Sequence, residues 1–267
     1  MLRYLKLYFY FLKFSFSRAM EFRVDFYFRI VMDILFYVVE ISFFKIIYGH
    51  VSTLGGWTEN QSLVFISSFL LVDALHMSIF ANNMWWMPFF INKGDLDYYL
   101  VRPVSSLFFL SVRDFAANSF INLLIAIGIF TWSLVNYSHG TPEAPITLNS
   151  LFLYGALILN GTFLYYVLGM FFIIPVFWIQ SDRGFRDIWY QVSQLGSRPD
   201  VIFKGWVRRI LTSVFPMALI VSFPSVLFFK GFEWTTLFHV LGMSLLMFCV
   251  MVFFWRRGLR SYSSASS

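Results

Sequence analysis

Residues Ser62–Met84 read Ser-Leu-Val-Phe-Ile-Ser-Ser-Phe-Leu-Leu-Val-Asp-Ala-Leu-His-Met-Ser-Ile-Phe-Ala-Asn-Asn-Met. A helix needs ~20 predominantly apolar residues to cross ~30 Å of hydrocarbon at ~1.5 Å per residue. This stretch supplies them, with a single carboxylate, Asp73, inside it. Five further stretches qualify, roughly Ile30–Gly49, Phe115–Tyr137, Leu151–Ile179, Leu211–Phe229 and Leu237–Trp255. Leu151–Ile179 is long for one crossing and must tilt, kink at Pro175 or protrude. Pro216 and Pro224 divide Leu211–Phe229, which fits a broken or partly re-entrant path.

The composition of the whole chain agrees with these spans. Hydrophobic residues make up 59% of the 267 and charged residues 13%, where soluble domains hold about 45–50% and about 25%. Mean hydropathy is +0.70. A water-soluble fold has nowhere to hide that much apolar surface, so a soluble enzyme and a disordered chain are excluded. The one cysteine, Cys249, rules out an intrachain disulfide framework. The fold expected is an all-α integral membrane protein of six transmembrane helices forming a single transmembrane domain over residues 1–267, with inner loops at 90–106 and 180–209.

Orientation follows from the placement of Lys and Arg. Sixteen of the 20 basic residues fall in one alternating set of segments: the N-terminal stretch, Phe90–Ser106, Gln180–Arg209 and the tail 256–267. The opposite set holds only Lys230. Both termini are therefore expected in the cytoplasm. Arg3, Lys6, Tyr10, Lys13, Ser17 and Glu21 recur at steps of three and four, with Leu2, Leu5, Phe9, Leu12, Phe16 and Met20 on the other side. That pattern predicts an interfacial amphipathic helix over 1–24. A signal peptide is disfavoured because Lys13 interrupts the apolar run and no small-residue cleavage site follows.

No nucleotide-binding glycine loop G-x-x-x-x-G-K-[ST] and no metal-binding His/Cys cluster occurs, and the four histidines are scattered. No catalytic residue, cofactor or metal is expected on this chain. Energy or chemistry, if needed, must come from another one. Two constellations remain. Asp25, Arg29 and Asp33 lie at i, i+4 and i+8, with Glu40 seven residues further on; Asp73 and His76 are three apart in the second span. An ionised group in hydrocarbon costs a few kcal/mol, so Arg29, Asp33, Glu40, Asp73 and His76 should face protein or water. They form either a substrate- or proton-contacting surface or ion pairs that fix helix packing.

The second constellation is Lys93-Gly-Asp-Leu-Asp-Tyr-Tyr-Leu-Val-Arg-Pro-Val-Ser105. Gly94 permits a turn, Asp95 is placed to cap a short helix through about Tyr99, and Pro103 stops it. Asp97, Tyr98, Tyr99 and Arg102 would then be displayed as aromatic anchors within a polar rim, the mix that docking surfaces use.

That segment, followed by Leu107-Phe108, resembles the first inner loop of the ABC-type-two export permeases, above all the short bacterial subfamily of six spans. Ser197-Arg-Pro-Asp-Val-Ile-Phe203, then Arg208-Arg-Ile and Phe215-Pro216, resembles that subfamily's second inner segment, with Arg198, Pro199, Asp200 and Phe203 as its marked positions. The resemblance implies the transmembrane subunit of an ATP-driven exporter in the bacterial inner membrane, moving a lipid, glycan, peptide or drug-like substrate. Two ABC ATPase subunits, carrying ATP and Mg, would sit beneath it, and a second permease subunit, identical or paralogous, beside it among membrane lipids. Nucleic acid has no part. Gly94, Asp95, Leu96, Asp97, Tyr98, Tyr99, Arg102 and Pro103 would then lie in a groove of the ATPase. The competing expectation is an ion-coupled secondary transporter or channel working through Asp33, Glu40, Asp73 and His76. A lipid-modifying membrane enzyme would want histidines or acids gathered at one face.

Overall fold

The structure, a computed structural model, describes residues 7–11, 13, 23–116, 119–140, 142–181 and 184–263, the side chains of 23–26 and 29 excepted. Most of the expected interfacial helix lies outside the described residues. The part described, 7–11, is helical, and Phe11 meets Phe109 edge to face at 5.1 Å.

Helix α1 is Arg23–Tyr48. Helix α2 runs unbroken for 35 residues, Glu59–Lys93. It starts at a capping box: the Thr58 hydroxyl accepts from the Gln61 N–H, and the Gln61 side chain accepts from the Thr58 N–H at 2.8 Å. It stops at Gly94, whose φ of 83° a residue without Cβ adopts freely. A π-helical turn, Met77–Ala81, is inserted midway. There follow α3 (Asp97–Leu100), α4 (Ser106–Val112), α5 (Ser119–His139) and α6 (Leu148–Ile179), the last with a break at Pro175. Helices α7 (Phe185–Ser193), α8 (Gly205–Arg209), α9 (Ser222–Lys230) and α10 (Trp234–Ser261) complete the chain.

Among the described residues four helices, α2, α5, α6 and α10, are long and apolar enough to cross a membrane. Their burial separates two roles. The apolar windows of α2 and α6 are 67% buried and form the centre, while those of α5 and α10 are 17% buried and present their apolar flanks outward. Helices α2, α5 and α6 are joined by hydroxyl contacts: Ser67 to Ser133 at 2.6 Å and Ser68 to Tyr154 at 2.6 Å. Small polar contacts of this kind hold helices together where lipid offers no hydrophobic drive.

The two remaining expected spans come out differently. Ile30–Gly49 falls within α1, a single helix that nevertheless carries Asp33, Glu40 and Lys45. Leu211–Phe229 is not one helix. A π turn at Ile210–Val214 gives way at Phe215-Pro216 to a 3-10 turn, Met217–Leu219, before α9 begins. Proline removes a backbone donor and clashes with the preceding turn. Met217, Leu219, Ile220 and Val221 are almost wholly buried, and irregular backbone at such depth is tolerated only inside protein.

Residues 185–202 instead run the length of α2. Arg186 donates to the Trp85 carbonyl at 2.9 Å, Gly196 lies against Phe69, and Val201 lies against Gly55. Residues 185–209 do not gather at one end of α2. Their start lies toward its Lys93 end, but Asp200 and Arg208 lie at the Glu59 end, with Gly55, Gln61, Glu143 and Lys230, and Arg198 meets Glu40 of α1. Charges that read as a solvated loop are paired within the protein. Were Arg198, Lys204, Arg208 and Arg209 counted with the Glu59 end, the asymmetry would be 12 to five.

Candidate functional site

The Lys93 end is built from the loop 94–105. The Leu96 N–H returns to the Phe90 carbonyl at 3.1 Å, drawing the Leu96 side chain completely out of solvent. One helical turn, α3, follows, and its neighbouring tyrosines part company. Tyr99 is buried among Phe90, Phe109 and Arg113, whose guanidinium donates to its hydroxyl. Tyr98 is 60% exposed, and Arg102 lies over its ring at 4.1 Å. Val101 and Pro103 are also exposed. Of the eight loop residues expected to lie in a partner's groove, Leu96 and Tyr99 are buried within their own chain, to which they anchor the loop. Asp95 does not cap the turn with its side chain; the helix begins after Leu96 with no side-chain cap. Ser105 caps the next helix, accepting from the Phe108 N–H at 3.4 Å.

Under this loop lies a core of Met84, Met87, Phe109, Met170, Phe177 and Trp255, drawn from α2, α4, α6 and α10. The end of α10 closes over it. Gly258 lets Phe177 approach so near that a Cβ would meet its ring at 2.4 Å, and Trp178 donates to Ser261 at 3.0 Å. Burial, with the Asp97 carboxylate beside it, pushes the Tyr262 hydroxyl up to about 12. The loop 94–105 thus shares one core with three long helices, α2, α6 and α10.

Midway along α2, Asp33, Asp73 and His76 line one cavity of about 430 Å³, together with Tyr165 of α6 and Arg186, Asp187 and Trp189 of α7. The His76 ring stands edge to face on Tyr165 at 4.6 Å. The π turn begins at the next residue, Met77, and turns of this kind favour functional positions. Gly169 admits Trp189 to the wall: a Cβ there would meet the indole at 3.2 Å. Three of the five intramembrane residues expected to act together are therefore brought together. Glu40 is not among them. It is buried and meets Arg198 at 3.3 Å, while Arg198 covers Phe43 at 4.3 Å. Arg29 lies in α1, but its side chain is outside the described residues.

At the Glu59 end Asp200, 2% exposed, takes both an Nε hydrogen bond at 2.9 Å and an Nη2 contact at 2.8 Å from Arg208. Its own N–H is satisfied by Ser222 at 3.1 Å. Pro199 is buried beside it, and Phe203 packs on the main core. Arg198, Pro199, Asp200 and Phe203 therefore pin the returning segment in place at this end, far from the loop 94–105.

A family model described as ABC-2 family transporter protein matches residues 34–266, nearly the whole of this framework. The chain belongs to the ABC-2 transporter family. It is thus a multi-pass membrane protein and a permease-type component of an ABC transporter, and ABC-2 members are transmembrane subunits rather than catalytic ones. Comparison with curated proteins finds no match, and comparison with solved structures finds none. Among the described residues no group of three or more His, Cys, Asp or Glu is placed to hold a metal.

In this ABC-2 chain several residues that build the two regions escape a reading of the sequence. Tyr165 and Trp189 look like ordinary apolar content, and Arg113 reads as a headgroup contact. Only the fold reveals that they form a cavity wall and the brace under Tyr99. Arg186 and Asp187 read as ordinary loop charges, yet both line the cavity.

Proposed function

We propose that this chain is the permease subunit of an ABC exporter in the bacterial inner membrane, driven by two ATPase subunits on separate chains and paired with a second permease, identical or paralogous. The Lys93 end faces the cytoplasm in this reading. The basic excess supports that side, since even on that count twelve basic residues fall on it against five. The observation that carries the reading is the crest of the loop 94–105. Tyr98 and Val101 stand exposed beside Arg102 on a turn whose neighbours Leu96 and Tyr99 are buried in the core. An aromatic anchor on a rigid mount is what a force-transmitting contact requires.

Asp33, Asp73 and His76 then belong to the path along which cargo is held, and Glu40 with Arg198 to the scaffold. The cargo is a lipid, glycan, peptide or drug-like molecule, the range that the family resemblance implies. ATP and Mg act on the partner ATPase. The test is copurification of the cognate ATPase with the wild-type chain and with Tyr98→Ala. Loss of association in a variant of unchanged thermal stability supports the reading. Undiminished association and transport overturn it. An ion-coupled mechanism through Asp33, Asp73 and His76 predicts transport that persists when the ATPase is deleted.

A further inference from the structure

The cavity between α1, α2, α6 and α7 carries more chemical information than a passage needs. Its volume of about 430 Å³ lies within the ~300–1,000 Å³ typical of small-molecule sites. Aromatic rings supply much of the wall, including Phe36, Phe69, Trp85 and Phe172. Asp33 comes from α1, Asp73 from α2 and Asp187 from α7. Among the described residues one basic side chain lines it, Arg186, and that guanidinium donates to the Trp85 carbonyl at 2.9 Å.

Carboxylates alone would say little. His76 decides the matter. It is 3% exposed, it lines the cavity, and neither Nδ1 nor Nε2 has a hydrogen-bond partner among the described residues. Buried polar atoms are nearly always satisfied, and one left open in a cavity points to a ligand that satisfies it. Its ring is held by Tyr165, so the nitrogens cannot readily swing to another partner. Neutral imidazole offers one acceptor nitrogen. A ligand that fits must therefore donate an N–H or O–H to His76, bring positive charge to the carboxylates, and lay an apolar body on aromatic faces that themselves attract cations. An anionic headgroup would meet a lining of three carboxylates and one guanidinium. A fixed quaternary cation has no hydrogen to give.

We infer that this cavity binds an amphiphilic protonated amine, an ammonium bearing N–H donors on an apolar or aromatic body, with Asp73 and His76 receiving the head. The inference rests on the reading of this cavity as the place where the permease holds its cargo.

Dansylcadaverine, a primary ammonium tethered to a naphthalene, is the probe. It is titrated into the purified full-length permease in detergent without ATPase, and dansyl fluorescence is read against protein-free micelles. Two analogues accompany it: the N-acetyl derivative, which is neutral, and the N-trimethyl derivative, which keeps the charge and loses the N–H. The expected result is saturable binding of the amine, with both analogues at least tenfold weaker on the wild-type protein. Asp73→Asn should weaken the amine at least tenfold. His76→Phe, which keeps a ring against Tyr165, should weaken it several-fold. The analogue comparison needs no variant, so a variant that misfolds does not blunt the test. Absence of saturable amine binding, or equal binding of either analogue, overturns the inference. If the ATPase still copurifies with the wild-type chain, such a failure leaves the permease reading standing; loss of that association would sink the reading beneath it.

Discussion

Gly161 of α6 and Ile220 touch backbone to backbone: a Cβ placed on Gly161 would lie 2.2 Å from the Ile220 carbonyl oxygen. That contact seats the irregular stretch after Pro216 against the central helix, and no flexible side-chain tip is there to give way. Gly161→Ala should therefore cost about 1–3 kcal/mol through forced backbone shifts, seen as a lowered melting temperature in detergent. Gly155→Ala in the same helix meets nothing within 4 Å. There alanine should be neutral or stabilising by up to about 1 kcal/mol. Equal effects of the two would contradict the packing.

Adjacent tyrosines should fail in different assays. Tyr98→Ala removes an exposed anchor, so ATPase affinity should fall by on the order of 2 kcal/mol while the melting temperature holds. Tyr99→Ala empties a buried site and removes the hydroxyl that accepts from Arg113, which should cost about 3–5 kcal/mol of stability. Identical behaviour of the pair in both assays would mean that the loop is not mounted as described.

Glu40 should prove structural. Glu40→Gln leaves Arg198 without its carboxylate, and removing one partner of a buried pair destabilises. Arg198 keeps 29% of its side-chain surface exposed, so the cost should be nearer about 1–2 kcal/mol than the full buried-pair figure. Transport per folded molecule should be unchanged. A transport defect at normal stability would return Glu40 to the path.

Accessibility tests the course of residues 185–209. In a Cys249→Ser background, Lys204→Cys and Gly56→Cys should both react with a membrane-impermeant maleimide applied to one side. Ser261→Cys should react only from the other. Labelling of Lys204→Cys together with Ser261→Cys would restore the segment to the cytoplasmic loop.

Four of the helices were legible because length and apolarity suffice: α2, α5, α6 and α10 each announce themselves in hydropathy. Residues 185–202 were not, since Arg186, Asp187, Arg198 and Asp200 lower their hydropathy to that of a loop. Two of these charges are paired: Asp200 by Arg208, eight residues on, and Arg198 by Glu40, 158 residues away across the fold. The second pairing is long-range, and no local pattern records it. The meeting of Asp33 with Asp73 and His76 was foreseeable only as two polar marks on neighbouring spans. The parting of Tyr98 from Tyr99 depends on the Leu96-to-Phe90 return, a backbone bond that spacing does not reveal.

Helix α2 has a mechanical meaning. At ~1.5 Å per residue its 35 residues make a strut about 50 Å long, with the docking turn rooted at one tip and the Thr58 cap at the other. A tilt of only about 5° about the lower tip would carry the upper one roughly 4 Å sideways, by simple leverage on that length. Since Leu96 and Tyr99 are wedged into the core, a push on Tyr98 has no soft joint in which to dissipate before it reaches the strut. The one irregular turn along the way, Met77–Ala81, adjoins His76. If the loop 94–105 takes an ATPase stroke as proposed, that stroke would bend the strut beside the cavity of Asp73 and His76, making pedal and latch parts of a single helix.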